Sequence, residues 1–302
     1  MTRLPAVCLI ANPGRRHRIL ELAAEVERRG FPGIYFPGSG DISMAVSLAH
    51  VTNTIEFGTA IQPIYVRTAF DMASAVGYLH EVSNGRFRYG IGVSHEAMQT
   101  RMPMPVGKPL SDVREYVAGL RAAEKSAGEL PPIVLATLRN RMVELAVEIA
   151  DGAVWANSSR RAMPESLSHI PDDKRNGDFF IGCMIPTVID DDREAAAAVV
   201  RKTMMLYVTT FPNYRNYWKA AGYVEEMEAA EAALAAGDRD RIPSLMSDRW
   251  LSDCTLYGSV GEVREGIEAW FDAGVKTPII VPSSTSGGQA KAFEELFAAF
   301  DS

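Results

Sequence analysis

The chain has 302 residues, 47% hydrophobic and 23% charged, with a formal net charge of -7. That length suits one large domain or two small ones, and the negative balance argues against nucleic acid or an anionic membrane as the main partner while leaving room for a local basic pocket. Cys8, Cys183 and Cys254 are far apart and odd in number, which fits a reduced, cytoplasmic protein better than a disulfide scaffold.

The opening stretch, MTRLPAVCLIANPG, shares a basic residue and a short apolar run with signal peptides, but no small-residue cleavage pattern follows and the run is too short to span a membrane. It reads as a first strand, AVCLIAN (6–12). RILELAAEVERRG (18–30) places Ile19, Leu22, Ala23 and Val26 on one helical face and stops at Gly30. GIYFPG (33–38) is strand-like, and DISMAVSLAHV (41–51) reads as a helix capped by Asp41, with Ile42, Ala45, Val46 and Ala49 repeating. TIEFGTAIQPI (54–64) is a strand broken near Gly58, and FDMASAVGYLHEVSNG (70–85) is a helix ended by Asn84-Gly85. FRYGIGV (87–93) is the fourth strand. LSDVREYVAGLRAA (110–123) aligns Val113, Tyr116, Val117 and Leu120 on a helix. PIVLAT (132–137) is a strand, NRMVELAVEIADG (140–152) a helix with Met142, Leu145, Ala146 and Ile149 inward, and AVWANS (153–158) a strand. FFIGCMIPTVI (179–189) is the seventh strand and TPIIVPSS (277–284) the eighth, followed by the helix KAFEELFAAF (291–300). Between them, Ser259 and Glu262 match a capping box and Gly274 stops that helix.

Eight apolar strands without strict polar alternation suit parallel strands covered on both faces. Alternating with helices, they predict a TIM (β/α)8 barrel as a single domain over residues 1–302. A doubly wound sheet is the rival, but it usually carries G-x-G-x-x-G after its first strand; GSGDIS (38–43) follows the second strand and lacks the third glycine. Two insertions break the rhythm, a polar one at 159–178 after strand six and a helical one at 190–250 after strand seven. Each is read either as a lid or as packing helices.

Active sites of TIM barrels lie where strands end. That rule nominates Asn12, Gly38-Ser39-Gly40, Thr59 to Gln62, Ser94-His95-Glu96, Ala136-Thr137, Asn157-Ser158, Pro186-Thr187 and Pro282-Ser283-Ser284. No lysine stands at a strand end for a Schiff base. His17, His50, His80, His95 and His169 lack metal-ligand spacing, and no G-x-S-x-G elbow exists. Gly90 and Gly92 share one face of their strand, which either opens the wall to a planar ring or marks a tight corner. His95 and Glu96 offer proton transfer, with a helix-capping turn as the plain alternative. Arg139, with Arg160 or Arg161, would add charge where helices begin, a setting that favours anions. Ser259 is either a phosphate donor or an ordinary cap.

On these residues the chain resembles the luciferase-like monooxygenase superfamily, and within it the deazaflavin (coenzyme F420)-dependent oxidoreductases. The resemblance is carried by IEFGTAIQPIYVR (55–67), LHEVSNGRFRYGIGV (79–93), GKPLSDVREYV (107–117), the run from Ala146 to Ala153 and the closing run from Gly258 to Glu265. It covers strands one to six and the last two units and weakens across 190–250. It implies a bacterial-luciferase-like TIM barrel holding a flavin or deazaflavin at its mouth. A non-proline cis peptide or bulge that backs the ring in such proteins maps to Ala60-Ile61. Phosphate binding maps to Thr137, Leu138 and Arg139 after strand five and to Asn157, Ser158 and Arg160 after strand six. Sugar-phosphate dehydrogenases of the group carry Asp-His after strand two, where this chain has PGSGD, and Leu138-Arg139 replaces a usual pair of glycines.

The resulting expectation is a coenzyme F420-dependent oxidoreductase passing a hydride to or from a small organic substrate. Thr59, Ala60, Ile61, Gln62, Gly92, Ser94, Ala136, Thr137, Leu138, Arg139, Asn157, Ser158 and Arg160 would bind the cofactor. His95, with Glu96 second, would handle protons. The alternatives are an FMN-dependent monooxygenase, a flavin-binding protein without turnover and a plain structural barrel. By analogy, the second and third helices form a homodimer face.

Overall fold

Apolar runs without polar alternation need cover on both faces, and all eight predicted runs form strands that have it. The computed structural model describes residues 3–37, 42–95, 99–100 and 102–301. Among them the strands are β1 (Ala6–Cys8), β2 (Gly33–Phe36), β3 (Glu56–Thr59), β4 (Gln62–Pro63), β5 (Phe87–Gly92), β6 (Ile133–Ala136), β7 (Gly152–Ala156), β8 (Phe180–Ile189), β9 (Leu256–Gly258) and β10 (Thr277–Ser283). They are ordered β10-β1-β2-β3-β5-β6-β7-β8-β9, and β10 also pairs with β8, which closes the ring. The fold is a TIM barrel of parallel strands. β4 pairs with β5, and β9 with β8, outside the ring of eight. β4 is the tail of the predicted third strand beyond Ala60-Ile61. β9 escapes prediction because three residues show no periodicity.

Contacts divide the chain into two compact units, one of Leu4–Trp155 with Ser168–Gly182, the other of Met1–Arg3, Ala156–Leu167 and Cys183–Ser302. In the first, β5 alternates. Phe87, Tyr89 and Ile91 face the helices, where the Tyr89 hydroxyl meets that of Tyr116 at 3.3 Å. Arg88 faces inward. Its guanidinium donates to both Glu56 carboxylate oxygens at 2.8 and 3.0 Å and lies 5.4 Å over the Phe180 ring. Glu56, Arg88 and Phe180 stand at the start of their strands, so they fill the N-terminal end of the strands, the end associated with stability.

The helices follow the predicted faces with small rotations. Helix 109–127 buries Val113, Tyr116, Val117 and Leu120, as the spacing requires. Helix 16–28 buries Ile19, Ala23 and Val26 and leaves Leu22 half-buried. Helix 42–51 buries Met44 and Leu48 as well as Ile42, Ala45 and Ala49, with Val46 half-buried. Helix 140–149 turns Val143 inward beside Leu145 and Ala146, leaving Met142 and Ile149 half-buried. The capping role of Asp41 lies outside the described residues.

Two charged side chains serve the loops between these elements. Arg86 makes five hydrogen bonds: to the carbonyls of Ser83, Ile55, Ala49 and Thr52, and to the Thr52 hydroxyl, at 2.8–3.1 Å. It thereby joins the ends of helices 42–51 and 69–82 to the start of β3. Glu27 accepts the backbone N–H groups of Asn53, Thr54 and Ile55 at 2.7–3.1 Å. Burial alone would raise its carboxyl, but those donors hold it at about 2.

In the second unit the stretch predicted as an insertion forms helices 193–210, 212–220, 224–235, 242–245 and 248–254. Ring contacts run through its centre from Tyr207 to Tyr214 at 5.0 Å, Tyr214 to Trp218 at 5.3 Å and Trp218 to Trp250 at 4.9 Å. Such aromatic packing gives these helices a core of their own. Ser259 and Glu262 complete the capping box of helix 260–272, so the plain reading of Ser259 holds.

Candidate functional site

The strand ends of the first unit supply most of the nominated residues. Thr59 is buried at the end of β3, and its hydroxyl donates to the Gly90 carbonyl at 2.7 Å. The Ala60-Ile61 peptide is cis, at the place the resemblance implies. Ile61 lies across β5: a Cβ built on Gly92 would stand 3.2 Å from its Cδ1 and 2.8 Å from the Ala136 Cβ. A Cβ on Gly90 would strike the Thr59 carbonyl oxygen. At Gly90 the tight corner is therefore the correct alternative. Gly90 lets β5 approach β3, and Ile61 covers both glycines as a half-exposed apolar platform.

Next to Ile61, Gln62 is buried, and its Oε1 has no hydrogen-bond partner among the described residues. Such an atom costs about 1–3 kcal/mol if left unpaired. Ser94, just past β5, takes φ +60°, a left-handed conformation unusual for a side-chain-bearing residue. It hands the chain to His95, which is half-buried, and burial lowers its imidazole below the ordinary 6.5. The imidazole is therefore neutral at pH 7 and able to take up a proton. The turn is held by Gln99, whose backbone N–H donates to the His95 carbonyl and side chain to the Val93 carbonyl, both at 2.9 Å. Glu96 lies outside the described residues, as do Gly38, Ser39 and Gly40.

After β6, Ala136 is half-buried and Thr137 buried, with the Thr137 N–H donating to the Val154 carbonyl at 2.8 Å. Leu138 is half-buried and Arg139 exposed. Arg139 is the N-cap of helix 140–149, and no side chain caps it. Its first N–H groups retain their attraction for an anion.

The second unit holds Asn157, Ser158 and Arg160 just past β7. Asn157 takes φ +52°; its N–H donates to the Met184 carbonyl and its carbonyl accepts from Trp218 Nε1, both at 3.0 Å. Ser158 is buried, 3.1 Å from Cys183 Sγ and 3.5 Å from Met163 Sδ. Arg160 is half-buried, and its guanidinium has no hydrogen bond or ion pair among the described residues. Of the other nominated positions, Asn12 is exposed, and Pro186-Thr187 falls inside β8, which runs on to Ile189.

For some residues that shape these loops the sequence gives no role, although Tyr65, Gly107 and Asp112 lie in runs that carry the resemblance. The Tyr65 hydroxyl donates to Asp112 Oδ2 at 2.6 Å, and the same oxygen accepts the Gly107 N–H at 2.8 Å. This joins the segment after β4 to the residues that lead into helix 109–127. Asp253, Tyr217, Trp218 and Tyr223 surround the turn after β7. Only long-range pairing reveals them, since their partners stand 30–94 residues away.

A profile of the family described as luciferase-like monooxygenase matches residues 6–277. A 5,10-methylenetetrahydromethanopterin reductase of Methanolobus tindarius is 30% identical over 307 aligned positions, covering 92% of this chain and 93% of its own. A Mycobacterium tuberculosis protein, named provisionally as a coenzyme F420-dependent oxidoreductase, is 25% identical, covering 91% and 92% of the two chains. Among solved structures, the coenzyme F420-dependent tetrahydromethanopterin reductase of Methanopyrus kandleri superposes with a TM-score of 0.76 at 18% identity, covering 98% and 97%. A type II Baeyer-Villiger monooxygenase of Pseudomonas putida, in complex with FMN, superposes with a TM-score of 0.63 at 15% identity, covering 99% and 96%.

Proposed function

The chain belongs to the luciferase-like monooxygenase family, and from that premise we propose that it is a coenzyme F420-dependent oxidoreductase acting on a small organic substrate. The observation that carries the reading is the platform at the end of β3 and β5. Ile61 lies over Gly92 there, beside the buried, unpaired Gln62 Oε1. An apolar surface next to an acceptor that lacks a donor suits a flat heteroaromatic ring with an N–H edge. The uncapped start of helix 140–149, with Thr137, Leu138 and Arg139, suits an anionic tail. Arg160, and the turn of Asn157 and Ser158, are assigned to phosphate as well. Two relatives, one by sequence and one by structure, carry coenzyme F420 in their names.

When bound, the coenzyme would accept the hydride from the substrate or donate it. The protein's share is orientation and proton handling. Ile61 and Ala60 would back the ring, and Gln62 would accept its N–H. His95, kept neutral by burial, would take the proton from a substrate hydroxyl as the substrate is oxidised, or return it in reduction. The second reading is an FMN-dependent monooxygenase, supported by the family's description and by the FMN-bound neighbour.

Equilibrium titration with each cofactor tests the reading, and a hydride-transfer assay of His95→Ala tests the proton role. A homodimer is also proposed, through helices 42–51 and 69–82, where Phe70 and Tyr78 of the latter are 74% and 51% exposed. Sedimentation should give a dimer, and Phe70→Glu with Tyr78→Glu should give a monomer.

A further inference from the structure

A buried carboxylate in the second unit has no part in the roles assigned so far. Asp253, near the end of helix 248–254, is 2% exposed. It accepts from the Ser159 hydroxyl, from the Arg161 backbone N–H at 3.1 Å and from the Tyr223 hydroxyl at 2.7 Å. No lysine or arginine side chain pairs with it among the described residues. A charge removed from water without a cationic partner survives only if donors surround it, and here neutral donors do so. Two of them, Ser159 and Arg161, flank Arg160 in sequence. The Ser159 N–H is also held, by the Tyr217 hydroxyl at 3.1 Å, and the Asn157 carbonyl by Trp218 Nε1 at 3.0 Å. The turn after β7 is thus fastened on both sides of Arg160, always by residues of the helical segment, while the Arg160 guanidinium itself remains uncommitted.

We propose that Asp253 is a positioning residue: by holding Ser159 and Arg161 it fixes the turn that presents Arg160 to the phosphate of a bound cofactor. The proposal rests on the assignment of Arg160 to phosphate. It gives the helices of 193–254 a function as a brace for that turn. Asp253 does not itself meet the anion, which its own charge would repel. Because neutral hydrogens occupy its oxygens, it does not compete for the Arg160 guanidinium either.

The test is a fluorescence titration of the full chain with a matched ligand pair, coenzyme F420 against its phosphate-free chromophore. The readout is the affinity ratio of phosphorylated to phosphate-free form. Asp253→Asn should lower that ratio about tenfold and leave the phosphate-free ligand unchanged. Arg160→Ala should lower it as much, and the double variant should add nothing, because both act on one contact. Tyr223→Phe, which removes a single donor and keeps the carboxylate, should lower the ratio less, and it carries the test if Asp253→Asn fails to fold. An equal loss for both members of the pair would show a merely structural role and overturn the proposal. If Arg160→Ala changes the ratio and neither Asp253→Asn nor Tyr223→Phe does, the proposal alone fails. If Arg160→Ala leaves the ratio intact, the phosphate assignment falls and the proposal with it.

Discussion

At the scale of single residues, burial and close approach decide what each side chain can do. His95 is the sharpest case. Its imidazole is desolvated, which disfavours the charged form and sets its pKa below 6.5. If the neutral ring accepts the substrate proton, the rate is level above that value and falls on the acid side, at a pH lower than a solvent-exposed histidine would give. His95→Ala should retain cofactor affinity and lose about 10²–10⁴-fold in hydride transfer, without the acid limb. Stopped-flow reduction across pH, with cofactor binding measured alongside, checks both. Gly90 supplies a second case, because any Cβ there would meet the Thr59 carbonyl oxygen, which is backbone and cannot swing away. Gly90→Ala should cost about 1–3 kcal/mol, as overpacking does, read as a lower urea midpoint.

Among the elements, the run SNGRF shows why a recognisable motif need not be chemical. Asn84 and Gly85 take φ +53° and +77° at the end of helix 69–82, Arg86 binds carbonyls of three segments, and Phe87 is fully buried in β5. The motif is a joint. Arg86→Ala would leave several of those carbonyls without a donor, and the expected loss is about 2–4 kcal/mol in chemical denaturation with little change in cofactor contacts. The eight barrel strands were legible because apolar β-branched runs between helical repeats have few other readings. The rotation of helix 140–149 was not, since Met142 and Val143 are equally apolar and only packing chooses between them. Within the candidate site, Thr59 to Gln62 and His95 are nominated by the rule that strands end at the mouth. Asp253 is not. It is one aspartate in a helical stretch, and its meaning comes from Ser159, 94 residues earlier.

For the molecule as a whole, the balance of evidence differs between fold and chemistry. Strand order and closure establish the barrel, and the match over residues 6–277 establishes the family. Neither selects the cofactor, because a type II Baeyer-Villiger monooxygenase in complex with FMN shares the fold. The Ile61 platform, the unpaired Gln62 oxygen and the uncapped helix start fit either tricycle, since both carry an N–H edge and a phosphate, so the proposed coenzyme F420 is decided by binding. The most direct measurement is therefore an equilibrium fluorescence titration of the purified protein with coenzyme F420 and, separately, with FMN. The account predicts saturable uptake of coenzyme F420 and none of FMN; saturable uptake of FMN with none of coenzyme F420 would contradict it.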